Sequence, residues 1–169
     1  MPGRKLVTQL KNNHAKSSLW LALILMIIAL AGCGNTNSLI NNEINPNIDV
    51  LGIKLNMPEA QVHELAASQG KKDMCINGYE YNYADKLINI GFDANQGKVR
   101  RITTKNPDTS IFGIKPGVDL ATANAQLEKY SFSKEQASEF KFHKENVMLT
   151  IISMHGTLAD GVTIELITD

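Results

Sequence analysis

The chain is poor in the features that usually declare a chemistry. It has two cysteines in 169 residues, 17 basic side chains balanced by 17 acidic ones, and one long apolar run, near the N-terminus. Two cysteines cannot build a disulfide framework. Balanced charge gives no electrostatic reason to expect nucleic acid as a partner. Phosphate-cradling glycine loops and dinucleotide fingerprints are absent. His63-Glu64-Leu65-Ala66-Ala67 opens like a zinc-protease helix, but alanine stands at position 67, where the second histidine ligand belongs. Asp93-Ala94-Asn95-Gln96-Gly97 has oxygen-bearing side chains in alternation, yet Lys98 and Thr104 occupy the places where a calcium loop needs glycine and glutamate. Ser153-Met154-His155-Gly156 lacks the glycine two residues before serine that a nucleophile elbow requires, and neither His143 nor His155 has a triad-like context. The expectation is a protein without cofactor or metal, and not an enzyme.

What is present begins at the N-terminus. Residues 1–16 carry Arg4, Lys5, Lys11 and Lys16 and no acidic side chain, and Leu19–Leu30 is unbroken apolar sequence followed by the small residues Ala31 and Gly32. This is a secretory n-region, h-region and cleavage site. A dozen apolar residues fall short of the ~20 that span a hydrocarbon core. Leu30-Ala31-Gly32-Cys33 resembles the bacterial lipobox. That resemblance implies cleavage before Cys33, a diacylglycerol on its thiol, and an anchor in the extracytoplasmic leaflet of a bacterial membrane. Two or three acyl chains hold firmly where one does not.

Removal of residues 1–32 takes four basic groups, leaving 13 basic against 17 acidic and a net charge of −4. With Cys33 acylated, Cys75 has no partner for a disulfide and is expected as a small buried hydrophobe. Gly34 to Asn47 holds six asparagines, a proline and few apolar groups. Such a stretch buries too little surface to offset ordering, so residues 33–48 are expected to be a flexible tether.

Beyond the tether the chain repeats itself. Val50-Leu51-Gly52-Ile53-Lys54-Leu55 returns 61 residues later as Ile111-Phe112-Gly113-Ile114-Lys115-Pro116. After the first copy, Asn56 with Glu59 suggests a capped helix bearing Val62, Leu65, Ala66 and Gln69 and stopping at Gly70. After the second, Gly117 and Asp119 offer the cap, with Leu120, Ala123 and Leu127 along one face. Candidate strands follow each helix: Tyr79–Tyr83, Leu87–Phe92 and Lys98–Thr104, then Glu139–His143, Val147–Ser153 and Gly161–Thr168. Short turns between them demand antiparallel pairing. The expected fold is α+β, two tandem helix-plus-antiparallel-meander units (helix, strand, strand, strand, repeated) over residues 49–107 and 108–169.

Gly52-Ile53-Lys54-Leu55-Asn56-Met57 with Val62 and Leu65, and Gly113-Ile114-Lys115-Pro116-Gly117-Val118 with Leu127, resemble the opening of the unit found in two groups. These are the β-lactamase inhibitory protein superfamily and the SmpA/OmlA (BamE-like) small lipoproteins. Asn56-Met57 and Gly117-Val118 each keep half of the family's Gly-Met pair. The resemblance implies non-catalytic protein binding and does not name the partner.

Tyr79, Tyr81 and Tyr83 share one face of their strand through its period of two, and Phe140 and Phe142 repeat the pattern. These rings either form the sheet face beneath the helix or present an aromatic platform, for which tyrosine is suited. Lys98, Arg100, Arg101 and Lys105 form a basic cluster that strand alternation splits between two faces. The function expected is a membrane-anchored, protein-binding or inhibitor-like module at the cell envelope. The partners would be the lipid bilayer, through acylated Cys33, and an unidentified envelope or extracellular protein. Alternatives are a structural component of an envelope assembly, or a small-ligand or cell-wall-fragment binder, which would need a closed pocket.

Overall fold

Alternation of apolar and polar side chains decides the architecture. The computed structural model describes residues 35–76 and 78–167; the leader, Leu30, Ala31, Gly32 and Cys33 lie outside the described residues. The chain divides into two units, one ending at Leu39 and one running from Ile40 to the C-terminus. Of the first, the described part is a short helix, α1 (Asn35–Leu39).

The second unit opens with a π-turn (Ile40–Ile44), a 3-10 turn (Asn45–Asn47) and β1 (Ile48–Asp49). The flexible tether expected there is corrected from residue 40 onward. Ile40, Ile44 and Ile48, four residues apart, are all buried. Asn45 uses both ends of its amide on Leu55, Nδ2 donating to the carbonyl at 3.1 Å and Oδ1 accepting from the amide N–H at 2.9 Å. The asparagines that suggested disorder here serve as hydrogen-bonding groups for backbone that would otherwise lack partners.

Helix α2 (Glu59–Ala66) precedes β2 (Lys71–Cys75), β3 (Gly78–Tyr83), β4 (Ile88–Asp93) and β5 (Val99–Thr104). After β6 (Ser110–Ile111), helix α3 (Leu120–Lys129) precedes β7 (Ser133–Lys134), β8 (Lys141–Lys144), β9 (Val147–Ile152) and β10 (Gly161–Leu166). Strands β2–β5 and β7–β10 form one antiparallel sheet in the order β2-β3-β4-β5-β10-β9-β8-β7. The fold is therefore α+β, with a mostly antiparallel sheet and few helices. Helices α2 and α3 are each followed by four strands of this sheet rather than the three expected; β2 and β7 are the additions, and they are the two sheet edges.

The two runs meet through their last strands, Ile102 opposite Ile164 and Thr104 opposite Val162. A separate two-stranded ribbon pairs Asp49 with Ser110 and Ile48 with Ile111. At the end of each ribbon strand the chain turns through two residues of positive φ, Leu51-Gly52 (53° and 76°) and Phe112-Gly113 (53° and 75°). This is the type I′ requirement and the reason for a glycine in each copy of the Gly-Ile-Lys motif. Hydrogen bonds recur as well. Asn56 and Glu59 donate backbone N–H groups to Val99 and Gly97, while Gly117 and Leu120 donate to Ala159 and Thr157.

The helix starts differ from each other. Asp119 caps α3, accepting from the Thr122 amide at 2.9 Å, as expected. Asn56 does not cap α2; it sits in a turn at φ 66°, and Pro58 occupies the N-cap with no side-chain bond. Helix α2 also ends early, with Ala67 left-handed at φ 50° rather than at Gly70. Val62, Ala66, Ala123 and Leu127 are buried, whereas Leu65, expected in the apolar stripe, is exposed.

The core lies on one sheet face. Ile88, Ile90 and Phe92 of β4, Ile102 of β5, Ile164 of β10, and Val147, Leu149 and Ile151 of β9 are buried. Their alternate neighbours Asn89, Thr103, Thr163, Met148 and Thr150 remain partly accessible.

Candidate functional site

Two surfaces are candidates, one on each face of the sheet. On the core face, Tyr79, Tyr81 and Tyr83 run along β3 beneath α2. Glu59 is the first residue of that helix and His63 lies one turn on, so both side chains descend toward the rings. Tyr79 donates its hydroxyl to Glu59 Oε2 at 2.5 Å and Tyr81 to Glu59 Oε1 at 2.6 Å. The Tyr83 hydroxyl lies 3.0 Å from His63 Nδ1, and His63 Nε2 lies 3.4 Å from Glu59 Oε1. Tyr79 stacks on Phe92 with centroids 5.4 Å apart, and His63 meets Tyr81 edge-on at 4.5 Å.

The electrostatics follow from this packing. Burial alone would raise the Glu59 carboxyl, but hydrogen bonds from Tyr79, Tyr81 and His63, with the charge of Lys72, outweigh it and hold the group below its ordinary value. The phenols respond in the opposite sense. Burial and the bond to Glu59 push Tyr79 up to about 12. The bond to Glu59, then burial, does the same for Tyr81, also to about 12. Burial, then the Glu59 charge, brings Tyr83 to about 12.

Of the aromatic residues considered for recognition, Tyr83 and Phe142 are buried and belong to the core. Tyr79, Tyr81 and Phe140 stay half-buried. Glu59, His63 and Lys72 were missed by sequence reasoning. The available signal was the i, i+4 spacing of Glu59 and His63, which puts a carboxylate and an imidazole on the helix face turned to three phenols.

The opposite face is open. Two cross-strand rows traverse its centre: Asn82, Asn89, Thr103, Thr163 and Thr150, all uncharged, and Glu80, Gly91, Arg101, Glu165 and Met148 beside them. Apart from Gly91, which is buried, the residues of both rows are half-buried. Thr103 and Thr163 share a hydroxyl contact at 2.9 Å, and Arg101 is ion-paired to Glu80. A depression of about 270 Å³ lined by Asn82, Leu87, Asn89 and Thr103 gives this face an apolar foothold.

The basic cluster is arranged otherwise than strict alternation predicts. A register shift opposite Gly91 and Phe92 inserts one residue into β5. Arg100 and Arg101 thus line the same shallow cleft of about 260 Å³ with Cys75 and Ile76. Cys75, expected in the core, is exposed at the end of edge strand β2. Edge strand and hairpin end give it no second layer to pack against.

Among the described residues, no group of three or more His, Cys, Asp or Glu side chains is placed to hold a metal ion. Among them, too, no helix is long and apolar enough to cross a membrane.

No family model matches the chain, and no curated protein matches it. Among solved structures, an extracellular protein containing an SCP domain, from Bacillus anthracis, is similar in fold, with a TM-score of 0.54 and 11% sequence identity. The likeness covers 70% of this chain and 46% of that one, so the chain spans less than half of that protein, and what the two share is the fold.

Proposed function

We propose that this chain is a bacterial lipoprotein, anchored through acylated Cys33, whose α+β domain binds another protein at the cell envelope without catalysis. The observation that carries the reading is the open sheet face. Eight strands present a broad surface whose central rows are Asn, Thr and paired charges. The buried residues of the two helices serve the other side. A polar sheet face with a small apolar foothold suits a protein surface better than a small ligand, which calls for an enclosed cavity.

The domain itself is best read as two tandem copies of one helix-and-meander unit, related to the β-lactamase inhibitory protein and SmpA/OmlA groups. Three features support duplication: the paired type I′ turns, the recurring hydrogen bonds at Asn56/Gly117 and Glu59/Leu120, and the facing of Ile102 with Ile164. A fourth is compensation between copies. Where α2 starts with Glu59 above tyrosines, α3 starts with Leu120, and the residues 61 positions after Tyr79 and Tyr81 are Phe140, just before β8, and Phe142 within it. Carboxylate and hydroxyls are absent together.

Two experiments test this reading. Cys33→Ser should leave unprocessed precursor without incorporated lipid; equal lipid labelling of the variant would refute the anchor. Crosslinking in intact cells should yield a neighbour that is lost in Thr103→Glu/Thr163→Arg, with the unfolding midpoint little changed because the two new side chains reach solvent and carry opposite charges across the strand pair. An unchanged set of neighbours would refute the open face as the binding surface.

A further inference from the structure

Tyr79 and Tyr81 stand nearly perpendicular, with centroids 6.0 Å apart and planes at 84°, and so form two walls of a corner. The corner already holds a cation: Lys72 Nζ lies 3.8 Å from the Tyr79 centroid and 5.4 Å from that of Tyr81. Phe92 covers one face of Tyr79, leaving the other to the cation. Negative charge is supplied from the hydroxyl ends, where the Glu59 carboxylate is held by both phenols, and Asp93 also acts on Tyr79. Ring faces attract cations, and a fixed carboxylate beside them adds to the field.

We propose that this corner is a binding site for an organic cation, an ammonium or guanidinium group brought by a ligand, and that Lys72 is its resident stand-in, displaced on entry. Lys72 is suited to leaving. It is exposed, it sits on edge strand β2, and its ammonium on a flexible stem regains hydration when released. A helix start of this kind does not require the polar corner, because 61 residues on, Leu120 stands in the place of Glu59, and Phe140 and Phe142 stand in the places of Tyr79 and Tyr81. The corner is on the core side of the sheet, so the proposal stands apart from the open-face reading and its failure would not touch that reading.

The test uses the full-length chain in a nonionic detergent with ring-labelled tyrosine, its NMR signals assigned through Tyr79→Phe and Tyr81→Phe. The probes are tetramethylammonium chloride and N-acetyl-arginine methyl ester, with sodium chloride and neopentyl alcohol as ionic and neutral controls. Saturable shifts of Tyr79 and Tyr81 with the organic cations, absent with both controls, are expected. Lys72→Ala should tighten binding about two- to fivefold by removing the internal competitor, and Glu59→Gln should weaken it by a similar factor. An unchanged Tyr130 signal shows that each variant is folded. Tighter binding of the arginine ester identifies a guanidinium carried by a peptide or protein; tighter tetramethylammonium identifies a quaternary ammonium such as a lipid headgroup. The proposal is overturned if neither cation gives a saturable shift, if neopentyl alcohol acts equally, or if Lys72→Ala does not tighten binding.

Discussion

Replacing Glu59 with leucine tests whether the phenol–carboxylate cluster holds α2 to the sheet. The side chain accepts two hydroxyl bonds, at 2.5 and 2.6 Å. Bonds to a charged group contribute about 1.5–3 kcal/mol each. Tyr79 and Tyr81 are half-buried, so their hydroxyls partly recover water when the carboxylate goes, which lowers the combined loss to about 2 kcal/mol. Tyr79→Phe/Tyr81→Phe leaves a carboxylate that is 29% exposed and can rehydrate, and should cost about 1–2 kcal/mol. The triple variant Glu59→Leu/Tyr79→Phe/Tyr81→Phe has the residue types found 61 positions later, Leu120, Phe140 and Phe142. Replacing both partners of a buried polar contact by apolar groups is close to neutral, so the triple variant should return to within about 1 kcal/mol of the parent. Urea unfolding followed by circular dichroism measures all four proteins. A triple variant less stable than either intermediate, or a Glu59→Leu protein as stable as the parent, would refute the reasoning.

Four further outcomes are expected. Unfolded tyrosines ionise near pH 10, whereas Tyr79, Tyr81 and Tyr83 in the fold ionise near about 12; the stability they contribute is full below pH 10 and lost from 10 to 12, so the thermal midpoint should fall across that window, less steeply in Tyr79→Phe/Tyr81→Phe. At the acid end the sign reverses: the lowered Glu59 group contributes stability above the ordinary carboxylate value that is lost as pH falls through its folded value, and Glu59→Gln should remove that part of the acid slope in midpoint-versus-pH scans. Asn45→Ala removes both bonds to the Leu55 backbone and should cost about 1–2 kcal/mol in urea unfolding, with faster proteolysis around residue 45; a neutral variant would mean that the segment from Ile40 is not bound as described. Cys75 should react with a thiol reagent in the native protein nearly as fast as in urea, and strong native protection would contradict its exposure.

The legible parts of the sequence were those with one wet face and one dry face. Six strands lie within a few residues of their expected bounds, because Ile88, Ile90 and Phe92, or Val147, Leu149 and Ile151, write a period of two that short turns enclose. Strand β2 carries no such record. Its residues Lys71 to Cys75 are exposed or half-exposed on both faces, as befits an edge, and an edge strand held mainly by backbone bonds leaves little apolar signal. The same geometry explains the error at Cys75, since a residue at the end of that strand has no layer above it. Residues 40–47 misled for a different reason: asparagine counts toward disorder in composition, yet Asn45 satisfies two backbone groups at once, and only the spacing of Ile40, Ile44 and Ile48 hinted that the segment folds.

The candidate site was half legible. Period two put the three tyrosines on one side of β3 but could not say which element would lie over them. That depends on where α2 begins. Reading Asn56 as the cap made Glu59 a capping-box residue, its carboxylate turned back toward its own helix. With Pro58 at the N-cap, Glu59 becomes the first helical residue, and its side chain is free to reach the phenols. The second copy of the motif could have distinguished the two readings, because Leu120 follows Asp119 at the same step and has no capping function to perform. A leucine at that step, against a glutamate bonded to Tyr79 and Tyr81, argues that this helix position serves the sheet below it rather than the turn before it.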